Sequence, residues 1–292
     1  MTLYCTLDEC KQQMEAQDST DDAKLITQIR QVSRRIDRMF MPNRRAPLFA
    51  PYIETRNQFQ FAGSAIDSYA GTFYLGQPLL AVTGVGIGSE VLTVGTTVQL
   101  YQGDTSPYLS LQLLNRCCGG WYQYVRCAGC EALPFLSVTG TWGYNVDWTN
   151  AWINTLQTIL NVGGINASAT SITVTDPEAA NDLGEAPCLS IGNLLQIESE
   201  WLEVTAVNTT TNVITVRRGV NGSTAAAHAQ GTAIYTYAVD EQIKRATIRQ
   251  AAFQYARFGV YDSAKTTGGA NAEFAPDVLY EFNALLTLFA NM

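Results

Sequence analysis

Histidine is nearly absent from this chain: His228 is the only one in 292 residues. Acid–base or nucleophilic chemistry built on histidine therefore rests on that single position. Long apolar runs are missing as well, and none reaches the roughly 18–20 residues a membrane-spanning helix requires. The opening MTLYCTLDEC has neither the basic nor the apolar region of a secretory signal, so the expectation is folding in a reducing cytoplasm. Basic residues are short too: 18 Lys and Arg against 26 Asp and Glu leave a net charge of -8. That balance argues against tight general binding to nucleic acid, which depends on cations displacing counterions from phosphates. Seven cysteines are an odd number, so complete internal pairing is excluded. In a reducing compartment most of them are expected as small buried hydrophobes. There is no internal repeat and no low-complexity tract.

What the chain does contain is enough apolar material, 47%, for packed cores. Its length suits about two domains. TLDECKQQM opens with a capping box, Thr6 reaching the amide three residues on and Glu9 reaching back. Ser19 or Thr20 is placed to cap a second helix, with Asp21 and Asp22 at its positive end. Leu25, Ile26, Ile29, Val32, Ile36, Met39 and Phe40 then form one apolar stripe, stopped between Pro42 and Pro47. From about Phe59 the period shortens. TFYLGQPLLAVTGVGIG, VLTVGTTVQLY, YLSLQLL, WYQYVRC and FLSVTGTWGY read as antiparallel strands separated by turn residues.

DWTNAWINTLQTIL reads as a helix capped by Asp147 and ending at Asn161. A second β segment follows in ATSITVTD, LLQIESEWLEVTAV and VITVRRG, with a turn at NTTTN. Helical period returns in VDEQIKRATIRQAAFQYARF, capped by Asp240. Pro276 suits the first turn of a last helix that places Val278, Leu279, Phe282, Leu285, Leu286 and Phe289 on one face. The expected fold is α+β: a small helical bundle formed from the two chain ends, with two inserted antiparallel β domains. In residue terms, 1–57 plus 238–292 make the helical core, 58–146 the first β domain, and 147–237 a helix plus a small β module.

Few residues suggest chemistry. His228 follows an Asn-Gly turn signal and lies near Ser223 and Thr224, but no G-x-S-x-G elbow surrounds them, so it reads as a structural turn histidine. CCGGWYQYVRCAGC brings Cys117 and Cys118 near Cys127-x-x-Cys130. Four thiolates would hold zinc tetrahedrally, yet an adjacent Cys-Cys pair chelates poorly, because strand alternation sends its members to opposite faces. Zinc is the less favoured reading, and no cofactor is expected. Arg30, Arg34 and Arg38 form a basic stripe on the second helix, either a solvated face or a contact to an acidic partner or to phosphates. GVGIGSE lies between strands and is no phosphate loop. Asp176, Glu178, Asp182 and Glu185 lack calcium-loop spacing. The apolar face of the last helix suits either core packing or a partner's groove.

Several of these stretches together resemble a known family. YCTLDECKQQ, STDDAKL, ITQIRQVSRRIDRMF and ETR, then VTGTWGY and VDEQIKRATIRQAAFQYARF, are similar to the head-to-tail adaptor (connector) proteins of tailed bacteriophages. IGNLLQIESEWLEVTAV, continued by VITVRRGVNGSTAAAHAQGTAIY, resembles a small β module of phage structural proteins, with its run G-x-N-G-[ST]-x-A-x-x-H-x-x-G. Residues 147–237 interrupt the pattern of simpler members, in which the GTWGY strand leads closely into the VDEQI-type helix. The cysteine cluster is not a family feature.

The resemblance implies a non-enzymatic virion protein of the neck, assembled in the host cytoplasm. It would form a ring under the portal protein, usually matching the portal's twelvefold symmetry as a dodecamer. DNA would pass through the lumen without specific binding, and a stopper or tail terminator would follow. Since the family's C-terminal segment docks on the portal, Leu279, Phe282, Leu286 and Phe289 are the implied anchors. A head-to-tail interface that closes on itself generates such a ring. The competing expectation is a carbohydrate- or surface-binding β protein of the tail or baseplate.

Overall fold

A computed structural model describes residues 2–14, 19–40, 46–58, 66–67, 72–87, 90–101, 106–114 and 136–267. Two compact units emerge, one from residues up to Phe49 together with those from Asn150 onward, the other from Ala50–Thr149. The second unit holds β1 (Tyr52–Gln58), β2 (Ile66–Asp67), β3 (Thr72–Ile87), β4 (Glu90–Leu92), β5 (Val98–Tyr101), β6 (Tyr108–Leu113) and β7 (Leu136–Trp142). They form one antiparallel sheet in the order β1-β7-β3-β6-β5, with β2 and β4 also paired to β3. Strand alternation sets the core: Leu136, Val138 and Trp142 of β7 turn inward with Phe73, Leu79, Val85 and Leu111. Arg56 lies across the Trp142 ring, 3.9 Å from its centroid, and its Nε donates to Glu54 Oε2 at 3.0 Å. Buried cation–ring contacts of this kind are worth about 2 kcal/mol.

The first unit combines helices with a second sheet. Its elements are α1 (Leu7–Met14), α2 (Asp22–Phe40), β8 (Trp152–Thr158), β9 (Ser171–Thr173), β10 (Leu194–Ile197), β11 (Glu200–Asn208), β12 (Val213–Arg217), β13 (Ala233–Tyr237) and α3 (Glu241–Thr267). The strand order is β8-β13-β10-β11-β12-β9. The amide of Leu160, just past β8, donates to the Thr173 carbonyl of β9 at 2.9 Å, which ties the two edges together. The sheet thereby closes toward a small barrel filled by Ile159, Ile172, Leu195, Leu202, Ile214 and Ile234, all fully buried. The turn expected at NTTTN forms, with Asn208 Oδ1 accepting the amides of Thr210 and Thr211 at 3.1 and 3.0 Å.

The helices begin where local signals place them, with one exception. Thr6 and Glu9 close the capping box: Glu9 N donates to Thr6 Oγ1 at 3.2 Å, and Thr6 N to Glu9 Oε2 at 2.7 Å. Asp240 caps α3 by accepting the amide of Gln242 at 3.0 Å. The exception is α2, which starts at Asp22, so Ser19 and Thr20 fall short of the cap position. Leu25, Ile29, Val32 and Ile36 bury the stripe of α2, whereas Met39 is exposed. Tyr255 of α3 donates to Asp21 Oδ2 at 2.7 Å, and Lys244 of α3 lies 3.5 Å from Glu9 of α1.

Two sequence expectations are overturned. A helical bundle made by the chain ends is not the fold: the protein is mostly β, built on two antiparallel sheets that each carry their own core. Capping signals are compact and conspicuous, whereas strand signals are spread over many short runs, so a sequence of this kind overstates its helices. The helix expected over Asp147–Asn161 is also absent. Trp148–Asn150 is a single 3-10 turn, and Trp152–Thr158 is strand, paired antiparallel with β13. Thr155, Gln157 and Ile159 alternate inward, while Leu156 projects outward at φ 60° where the pairing register shifts.

Candidate functional site

His228 lies buried on the loop between β12 and β13. The chain leaves β12 at Arg217 and turns at Val220–Ser223, where Ser223 N donates to the Val220 carbonyl at 3.0 Å. Asn221 and Gly222 both have positive φ, 52° and 84°, the mirror-image turn that the Asn-Gly pair favours. His228 then exchanges two 2.9 Å backbone bonds with Ile165. Gly164 permits that approach, because a Cβ there would stand 2.2 Å from the His228 carbonyl oxygen.

The ring is buried between two carboxylates. Nδ1 lies 2.7 Å from Glu198 Oε2 and Nε2 lies 2.8 Å from Glu200 Oε2. Glu198 sits in the tight turn between β10 and β11 with φ 53°, and its side chain is exposed. Glu200 is wholly buried. Its carboxylate grips Arg218 in a two-pronged pair, Nε to Oε1 and Nη2 to Oε2, both at 2.7 Å. It also accepts the amides of Gly219 at 3.0 Å and Ala226 at 2.9 Å.

Arg218 has five N–H donors, and every one is used. Beyond Glu200, Nη1 donates to the carbonyls of Asn166 and Ala169 at 2.9 and 2.8 Å, and Nη2 donates to that of Ala226. Burial pushes the Glu200 carboxyl up, but its bonds to Arg218, the Ala226 amide, His228 and the Gly219 amide outweigh that and hold it at about 2. The cluster therefore keeps a fixed negative charge under a fixed positive one, and it pins the 218–228 loop to the sheet.

Such an arrangement is poorly suited to catalysis by His228. A general base needs a ring nitrogen facing the proton it removes, and here both ring nitrogens are taken by carboxylates. Ser223, the nearby hydroxyl, accepts the Trp201 amide at 2.9 Å and donates to the Val220 carbonyl at 2.9 Å. A groove of about 860 Å³ lies between α1 and the barrel, lined by Leu7, Lys11, Pro187, Leu189, Ile191 and Val207. Its rim is internally paired, with Lys11 2.7 Å from Asp22 and Ser190 donating to Asp8.

The remaining expected sites divide cleanly. Arg30, Arg34 and Arg38 stand together on the exposed side of α2. Cys117, Cys118, Cys127 and Cys130 lie outside the described residues, as do Leu279, Phe282, Leu286 and Phe289. Among the described residues no group of three or more His, Cys, Asp or Glu is placed to hold a metal. No helix among them is long and apolar enough to cross a membrane.

Sequence reasoning missed Glu198, Glu200 and Arg218. The available signal was a glutamate on the inward phase of IESEWLEV, followed by an arginine pair across the end of the next strand. It also missed Asp37, buried on α2, where Tyr4 Oη donates to it and the Leu48 amide donates to Oδ1 at 3.0 Å. No protein-family model matches the sequence, and none of the curated proteins does.

Proposed function

We propose that this chain is a structural protein of the tailed-phage neck, a head-to-tail adaptor. In this reading it assembles as a ring, a dodecamer matched to the portal, and extends the DNA channel toward a stopper or tail terminator. The observation that carries the reading is the fate of the His228 run. The most distinctive stretch of the phage-like β module spends its histidine, arginine and glutamate on one another, which supports a role in holding shape over one in chemistry. Further support comes from the two long helical stretches of the resemblance, α2 and α3: Tyr255 of α3 donates to Asp21, the residue just before α2.

Within this reading Leu279, Phe282, Leu286 and Phe289 supply the portal contact. The Arg30, Arg34 and Arg38 stripe faces an acidic partner surface. The net charge of -8 lets DNA slide without sticking. The virion neck is the location, and neither cofactor nor enzymatic activity is part of the proposal. A phage lacking this gene should accumulate DNA-filled heads and free tails, joined again on adding the purified protein. Normally joined particles without it would overturn the proposal. The predominance of sheet favours a second reading, a carbohydrate- or surface-binding β protein of the tail or baseplate. Glycan binding without portal binding would select that one.

A further inference from the structure

We infer that Cys5 and Cys10 are a built-in oxidation site, closing to an intrachain disulfide with a small-molecule disulfide of the glutathione class as oxidant. The inference does not depend on the function proposed above. Thr6 is the cap residue of α1, so Cys5 occupies the position before the cap and Cys10 the fourth position of the helix. Those two positions commonly carry a pair of apolar side chains that pack together and fix the angle at which the chain enters the helix. Here both are thiols. Their sulfurs lie 3.7 Å apart, and both residues are buried. A disulfide needs about 2.0 Å, so side-chain rotation alone has little distance to cover.

The pair sits at a junction. Leu7 N donates to the Ile191 carbonyl of the barrel at 3.0 Å, and Cys10 Sγ lies 4.0 Å from the Ile248 carbonyl of α3. A covalent staple would therefore fix the start of α1 where barrel and α3 meet it. The exchange is balanced. One cysteine thiolate attacks the small disulfide and expels one thiol, then the second thiolate attacks the mixed disulfide and expels the other. The protein gives up two protons and two electrons, and the small disulfide leaves as two thiols. Burial, then the neighbouring Cys10, raises the Cys5 thiol well above its ordinary range, so the closed junction reacts slowly. Reaction proceeds when residues 2–10 open locally.

The test uses the whole protein in buffers of reduced and oxidised glutathione, followed by alkylation in denaturant and trypsin. Both cysteines fall on the peptide that ends at Lys11. The expected product is that peptide two hydrogens lighter, alkylated at neither cysteine and restored by dithiothreitol. Cys10→Ala should abolish it. The oxidised protein should melt about 3–4 °C higher, from the small loop closed and the size of the chain. Full alkylation of both residues after equilibration overturns the inference, as does glutathione remaining on one of them. A lighter peptide without a gain in melting temperature also overturns it, because the bond would then belong to the unfolded chain.

Discussion

Replacing Glu200 by Gln tests whether the buried network holds the barrel together. The substitution keeps shape and volume but exchanges one oxygen for an NH₂ group. Placed at Oε1, the remaining oxygen can still accept Arg218 Nε and the Gly219 amide. The new NH₂ then meets Arg218 Nη2, the Ala226 amide and His228 Nε2, where Oε2 had stood. Flipping the amide transfers the clash to the other side. Two routes give the magnitude. The fall of the carboxyl from its usual 4.5 to about 2 corresponds to about 3 kcal/mol favouring the ionised form. Removing one partner of a buried ion pair typically costs about 3–5 kcal/mol.

A urea melt followed through Trp201, which lies on β11 beside Glu200, should therefore show Glu200→Gln destabilised by about 3 kcal/mol, close to Glu200→Ala. The double variant with Arg218→Ala should cost clearly less than the two single changes added together. The pH dependence has a defined sign. A depressed carboxyl contributes stability that is present above 4.5 and is lost as pH falls from there through 2. The Gln variant should lack that slope. A Gln variant within about 0.5 kcal/mol of the wild type, the range of ordinary surface changes, would refute the reasoning.

Asp37 titrates in the opposite sense. Burial raises it from 3.8 to about 6 despite the bonds from Tyr4 and Leu48, so its contribution is full below 3.8 and is lost as pH rises through 6. Asp37→Asn keeps an acceptor for both donors and should remove about 3 kcal/mol of pH dependence between those values, read from urea melts at a series of pH. Gly164→Ala should disrupt the His228–Ile165 bridge and lower the melting temperature well below that of Gly163→Ala. Both glycines have positive φ, but only at Gly164 would a Cβ strike backbone. Thr6→Ala should cost about 1 kcal/mol by opening the capping box, measured by the same melts.

Short-range chemistry was the legible part of this sequence. Thr6 with Glu9, Asp240, and the Asn-Gly turn each act within three residues, and the structure places them as expected. Strands such as β7 and β12 were legible because one face is buried and the alternation is clean. The 147–161 segment was misread for a physical reason. Trp152, Leu156 and Ile159 fall at helical spacing, yet Leu156 points outward and the inward set is Thr155, Gln157 and Ile159. Two polar residues on the buried phase concealed the strand.

The network around His228 was hidden by distance along the chain. Glu200 finds Arg218 18 positions away and His228 28 away, pairings set by strand order and not by local pattern. Cys5 and Cys10 are buried, as expected of most cysteines in this chain, but nothing in that expectation pairs them. Their nearness follows from the cap between them, which the capping box already implied.

The adaptor role proposed above, between the phage portal and the tail, is open to a direct assembly test. Light scattering and negative-stain microscopy of the protein, with and without the portal protein encoded nearby, test it most directly. With an adaptor bound, the portal ring should gain mass and one added tier. A persistent monomer that leaves the portal unchanged would contradict it.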